Sequence, residues 1–406
     1  MKIKYLTFLI SMSLLNWQTV YGGGGENKQK PLLDVINSSL DFAVMQYSGM
    51  LESLKNTDEL PRTINPDGSL KTEGSRSWTS GFFPGSLWYL YEYTGDSKWK
   101  KAAHQKTMFL EKEKYNKNTH DLGFMLYCSF GNGYRLTGNE DYKPIILKGS
   151  ESLSSRFNPL IGCIQSWGTR PKWQFPVIID NMMNLEMLFW SSKASGNPTF
   201  GKLAEVHANT TLNNHFRDDY SSYHVVSYDT ITGNVEVKQT AQGYADESSW
   251  ARGQAWGLYG FTMAYRETGN QRYLDQAIGI ADFLINHPNL PADKVPYWDF
   301  NAPGIPNANR DASAAAIICS ALLELQKYAD HQKANEYLQV AEQMLRTLSS
   351  PAFLASKGDN QNFLLQHCVG HMPTNVEIDV PLNYADYYYL EALIRYRNIL
   401  VNERKL

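Results

Sequence analysis

The sequence predicts an all-α chain closed into a ring of six helical hairpins, an (α/α)6 barrel, and three observations carry that expectation. First, four aromatic-rich helical stretches end in the same chemistry: Thr94-Gly95-Asp96, Thr137-Gly138-Asn139, Ser195-Gly196-Asn197 and Thr268-Gly269-Asn270, with Trp99, Tyr142, Phe200 and Tyr273 following. Second, those glycines lie 43, 58 and 73 residues apart, too irregular for an open solenoid of uniform units. Third, strand signals are confined to short stretches, 223–228 and 235–238, which read as one small β-hairpin on a loop. In chain order, a helix over 33–54 opens the domain. Each Gly-Asp or Gly-Asn unit then joins two antiparallel helices: the glycine takes the left-handed conformation that ends one helix, and the next side chain caps the following one. A degenerate fifth unit stands at Tyr328-Ala329-Asp330, and a helix over 384–399 closes the set. Residues 31–406 read as one domain.

Composition bounds the function. With 43% apolar and 19% charged residues, the 406-residue chain can bury a large core and is not mainly disordered. Lys+Arg 38 against Asp+Glu 41 leaves no basic surplus, which excludes nucleic acid as a partner. Residues 1–22 combine Lys2 and Lys4, an apolar run and small residues near a cleavage point, the pattern of a secretory signal peptide. A polar, glycine-rich leader covers 23–30. Without Lys2 and Lys4 the exported chain holds 36 basic and 41 acidic residues, a net charge of -5. No other apolar stretch reaches the roughly 20 residues of a membrane span, so a protein free of membrane anchors is expected, exported to the periplasm of a Gram-negative bacterium as a monomer or weak oligomer. Cys128, Cys163, Cys319 and Cys368 show no metal-binding spacing and read as buried free thiols.

Four segments place polar groups where helix periodicity does not ask for them. Trp78 sits in Ser77-Trp78-Thr79-Ser80-Gly81-Phe82-Phe83-Pro84-Gly85, a turn rich in Gly and aromatics. Asp121 follows His120 at the start of an apolar helix, and Asp180 ends the run Val177-Ile178-Ile179 and continues into Asn181-Met182-Met183-Asn184. Capping would account for either aspartate, but not for three polar groups set into a Met- and Leu-rich helix. The densest segment pairs Gln242 with Trp250-Ala251-Arg252-Gly253-Gln254-Ala255-Trp256, where Arg252 and Trp256 at i, i+4 would face one spot. Carboxylates, a guanidinium fork and aromatic plates together suit an acidic sugar.

At these motifs, and at Arg310-Asp311-Ala312-Ser313 and Asp379-Val380-Pro381-Leu382, the sequence resembles glycoside hydrolase family 88, the unsaturated glucuronyl hydrolases, over nearly the whole mature chain. The resemblance implies the six-hairpin barrel, no metal and no cofactor. It also implies Asp180 as catalytic acid/base, Asp121 as its partner, and Trp78, His224, Gln242, Trp250, Arg252 and Trp256 as substrate contacts. The implied partner is an oligosaccharide ending in a 4,5-unsaturated uronic acid, whose C4=C5 bond is hydrated. Positive charge at Arg252 and His224 is expected to offset the acidic chain, and Arg252→Ala to act mainly on KM. The rival readings are an unsaturated rhamnogalacturonyl hydrolase of family 105 and a noncatalytic periplasmic binding protein for acidic sugars.

Overall fold

A computed structural model describes residues 29–403; the expected signal peptide (1–22) and residues 23–28 of the expected leader lie outside them. After α1 (Leu32–Ser53), five hairpins follow: α2 (Phe82–Thr94) with α3 (Ser97–Met108); a π-helical stretch (Gly123–Gly131) continuing as α4 (Asn132–Thr137), with α5 (Tyr142–Ser154); α6 (Leu185–Ser195) with α7 (Pro198–Asn214); α8 (Ala251–Thr268) with α9 (Gln271–Asn286); and α10 (Ala312–Leu325) with α11 (His331–Leu348). The last helix, α12 (Asn383–Glu403), packs on α1, so the two ends of the chain make the sixth pair. The first member of each hairpin and α12 form an inner ring: α2, α4 with its π-helical stretch, α6, α8, α10 and α12 each touch the next, and α12 returns to α2.

The division into layers follows from side chains. Every residue of α10 is buried, as are residues 251–264 of α8, because an inner helix is covered all round. By contrast α11 buries Tyr337, Val340, Ala341, Met344, Leu345 and Leu348, one stripe at helical spacing, and leaves its other face charged.

The turns behave as their chemistry requires. Gly95, Gly138, Gly196 and Gly269 have φ of 67, 62, 73 and 70°, and each N–H closes on a carbonyl four residues back. Asp96, Asn197, Asn270 and Asp330 accept backbone N–H groups at the start of α3, α7, α9 and α11. These tight links all lie at the C-terminal ends of inner helices. The long connections therefore gather at the other end, where inner helices begin, and that is where a site can be built.

The β-structure exceeds the expected single hairpin. β6 (Val225–Tyr228) and β7 (Val235–Gln239) do form it, but β5 (Phe175–Ile178) adds a third antiparallel strand. Three two-stranded pairs also occur: β1 (Leu60–Ile64) with β2 (Leu70–Glu73), β3 (Phe157–Asn158) with β4 (Cys163–Ile164), and β8 (Cys368–His371) with β9 (Val376–Val380). All four cysteines are free thiols; Cys128 is half-buried and the others are buried.

Candidate active site

At the N-terminal end of the inner ring a cavity of about 270 Å³ is lined by Trp78, Asp121, Asp180, Gln242 and Arg252, five of the eight residues singled out from the sequence. His224 and Trp250 stand directly behind it. Trp256 does not belong to it: fully buried one turn deeper in α8, it packs on Phe124 and Tyr388 at 5.2 and 5.5 Å and has no surface to offer a sugar.

Strand register puts the central pair together. β5 runs into Asp180, and Ile178 opposes Val225 while Ile179 N–H bonds the His224 carbonyl, so Asp180 and His224 emerge side by side. Residues Ile179–Asn184 then wind as a 3-10 turn in which Asn181 is tied to Ser166 Oγ and the Ile164 carbonyl. Asp180 makes no capping bond. Its Oδ1 is buried, bonded to no protein group, and 3.8 Å from His224 Nε2. Asp121 is brought alongside by a close backbone crossing: a Cβ on Gly123 would lie 2.5 Å from Asn184 Cα, so only glycine lets the π-helical stretch approach the 3-10 turn. A π-helical stretch is rare and concentrates at functional sites. Asp121 is not a cap either; Thr119 Oγ1 accepts its N–H and donates to its Oδ2 at 3.1 Å.

Burial sets the protonation of these groups. It pushes Asp180 up to about 7, against the opposing pull of Arg252 and with help from the Asp121 charge. It also pushes Asp121 up to about 7, despite Thr119, Arg156 and Asn184, which favour the ionised form. Asp121 thus adds to a shift whose main cause is desolvation. His120 is buried and held down to about 3, with Arg156 contributing; its Nδ1–H is donated to the Ser166 carbonyl at 2.8 Å, and Nε2 lies 3.2 Å from Asp121 Oδ1.

His224 corrects the expected source of positive charge. Its Nδ1 accepts the N–H groups of Ala241 and Gln242, both at 3.1 Å, so the proton sits on Nε2 and the ring is a fixed neutral donor aimed toward Asp180. Burial first, then Arg252, holds its pKa well below the ordinary histidine value. Trp250 packs on this ring at 4.4 Å.

Arg252 is also less free than its position suggested. It bonds Asp311 at 2.9 Å and the carbonyls of Val369 and Gly370, and its guanidinium lies over Trp250 at 4.7 Å and Tyr384 at 5.4 Å. These contacts use three of its five donors. Gln242 ties the same Gly370 carbonyl at 2.9 Å. Arg252 still supplies positive charge that acts on Asp180 and His224, Arg62 lines the same cavity, and the architecture adds to them. All six inner helices point their N-termini at this end, each carrying roughly half a positive charge. An anion is therefore drawn to a chain whose net charge is negative.

Sequence reasoning missed several wall residues. Trp167 lines the cavity edge-on to His224 at 5.9 Å, and Tyr384 packs on Trp78 at 5.1 Å. Arg62 grips Glu377 of β9 at 2.7 and 2.9 Å, fixing the β8–β9 hairpin as a roof. Among the described residues no group of three or more His, Cys, Asp or Glu is placed to hold a metal ion.

The profile of Glycosyl Hydrolase Family 88 matches residues 53–398. The chain belongs to that family. An unsaturated glucuronyl hydrolase of Formosa agariphila is 44% identical over 404 residues, spanning 98% of this chain and 99% of the relative. An unsaturated chondroitin disaccharide hydrolase of Streptococcus pneumoniae is 32% identical over 374 residues, 90% of this chain and 93% of the other. The crystal structure of an unsaturated glucuronyl hydrolase specific for heparin superposes with a TM-score of 0.87 at 49% identity, covering 91% of this chain and 98% of that one. This family 88 chain is a glycoside hydrolase, with the barrel and the unsaturated glucuronyl activity expected from its sequence.

Proposed function

We propose that Asp180 performs both proton transfers of the hydration and that glycosaminoglycan fragments are the substrates. The observation that carries the first part is Asp180 Oδ1: buried, bonded to no protein group, held near neutral pKa, and facing the fixed donor of His224. As the acid, Asp180 gives its proton to C4 and positive charge develops at C5 beside the ring oxygen. A water then adds at C5 and returns a proton to the Asp180 carboxylate, which restores the acid. The hemiketal opens to a keto uronic acid and expels the neighbouring sugar, so one water is consumed overall. Trp78 supplies a face for the ring. Arg252 and the helix N-termini hold its carboxylate, and burial, with the Asp121 charge adding to it, keeps the proton affinity of Asp180 high.

Because Asp180 must start protonated, kcat/KM is expected to fall as pH rises through about 7. The limb belongs to the Asp121–Asp180 pair jointly. A rate that stays flat across this range would remove the acid role.

The heparin-specific structure and the chondroitin-acting relative support the substrate class. Unsaturated disaccharides from hyaluronan, chondroitin, heparin, ulvan and rhamnogalacturonan, compared by loss of ultraviolet absorbance, should rank a glycosaminoglycan product first. Fastest turnover of the rhamnogalacturonan product would overturn that assignment. Lys2, Lys4 and the apolar run that follows support action after export to the periplasm; recovery of the protein with an intact Met1 from the cytoplasm alone would contradict it.

A further inference from the structure

Next to Asp121, and lining the same cavity, His120 is 4% exposed and fixed in one tautomer. Its Nδ1 stands 2.8 Å from the Ser166 carbonyl, which can only accept, so Nδ1 carries the hydrogen. Arg156 donates to the same carbonyl at 3.1 Å. Burial and the Arg156 charge keep the ring neutral, which leaves Nε2 with a lone pair and no hydrogen. That nitrogen is buried without a donor of its own, 3.2 Å from Asp121 Oδ1.

A lone pair facing an ionised carboxylate oxygen is repulsive. It becomes the acceptor of a hydrogen bond when Asp121 keeps a proton on Oδ1. The other oxygen is already an acceptor, since Oδ2 takes the Thr119 hydroxyl at 3.1 Å. Among the polar neighbours, Arg156, Thr119 and Asn184 favour ionised Asp121. Asp180 is the carboxyl coupled to it, under the opposing pull of Arg252, and His207 of α7 and His224 are neutral rings nearby. Besides burial, His120 is thus the group that favours a proton on Asp121.

We propose that His120 is a positioning residue: its Nε2 lone pair holds Asp121 as a neutral acid, so that Asp180 gives its proton to C4 beside an uncharged partner. The inference rests on Asp180 being the proton donor. A carboxylate formed next to a neutral acid costs less than one formed next to a second carboxylate. The charge that ionised Asp121 adds to the Asp180 shift is withheld until the pair titrates jointly. The Asp121 proton stays on its oxygen through both transfers, so the hydration still consumes one water and no net proton.

Two variants test this. His120→Phe keeps a flat ring without the lone pair, whereas His120→Gln can place its NH2 on the Ser166 carbonyl and its oxygen on Asp121. With the phenyl ring Asp121 ionises at lower pH, and its charge then opposes proton loss from Asp180. Near neutral pH kcat should fall about tenfold, roughly one net hydrogen bond. The alkaline limb of kcat/KM should move to higher pH, and the deficit should shrink as the pH falls and Asp121 regains its proton. His120→Gln should recover most of the loss. A deficit equal at every pH would mark a merely structural role and overturn the proposal. NMR of the wild-type ring nitrogens, assigned by their loss in either variant, is independent of turnover: a hydrogen on Nδ1 and none on Nε2 is expected, and a hydrogen on Nε2 would overturn the proposal. Full activity of Asp180→Asn would instead strike at the proton donor itself, and at the inference with it.

Discussion

Asp180→Asn is expected to abolish turnover of an unsaturated disaccharide while leaving the barrel folded. Asparagine keeps the shape but can neither give a proton to C4 nor take one from water, and one well-placed acid/base group commonly accounts for 10²–10⁴ in rate. Since the same group acts twice here, a loss of at least about 10³, roughly 4 kcal/mol of barrier, is the expected result. The ultraviolet assay reads it directly, and near-normal decay of absorbance would sink the assignment. Stability supplies an independent readout with a definite sign. The native pKa of about 7 lies above the unfolded value of about 3.9, so the native state holds a proton that the unfolded state has lost. Wild-type stability therefore falls as pH rises from about 4 to about 7, and the asparagine variant escapes that fall. Its melting temperature should exceed that of wild type above pH 7 and converge with it below pH 4.

Much of the barrel was legible because helix termination is local chemistry. Gly95 or Asn270 does its work with atoms four residues away or fewer, and the sequence shows both partners. β5 was not legible: four buried apolar residues read alike in a strand or a helix, and only pairing with β6 decides between them. The same limit governs the site. Asp121, Asp180, Trp78 and Arg252 announce themselves as polar or aromatic groups out of pattern, whereas Trp167 and Tyr384 gain meaning only when distant loops meet over the cavity. Trp256 was misplaced because i, i+4 spacing describes one helix face and not depth. Arg252, in the first turn of α8, reaches out to β8, while Trp256 one turn below points into the barrel. The charge of His224 was misjudged for a similar reason, since no sequence pattern shows two backbone N–H groups closing on its Nδ1.

Arg252→Ala is where the structure most changes an expectation, from a selective rise in KM to a loss of fold and activity together. Arg252 is 1% exposed and is the counter-ion of fully buried Asp311, which also caps α10 by accepting Ser313 N–H at 3.0 Å and Ser313 Oγ–H at 2.6 Å. Removing it strands a buried carboxylate and leaves the Val369 carbonyl without that donor in the roof over the cavity. Breaking a buried pair from one side typically costs about 3–5 kcal/mol. The melting temperature should drop markedly, and kcat should fall along with any rise in KM as the β8–β9 roof loosens. Arg252→Lys should recover little, because one ammonium cannot reproduce a planar fork shared by Asp311 and two carbonyls. The decisive comparison is Arg252→Met combined with Asp311→Asn, which removes both charges. If the stranded carboxylate is the main cost, the double variant melts higher than Arg252→Met alone yet still binds the anionic sugar poorly. A single Arg252→Ala variant that melts like wild type and differs only in KM would show that the guanidinium serves the substrate and not the fold.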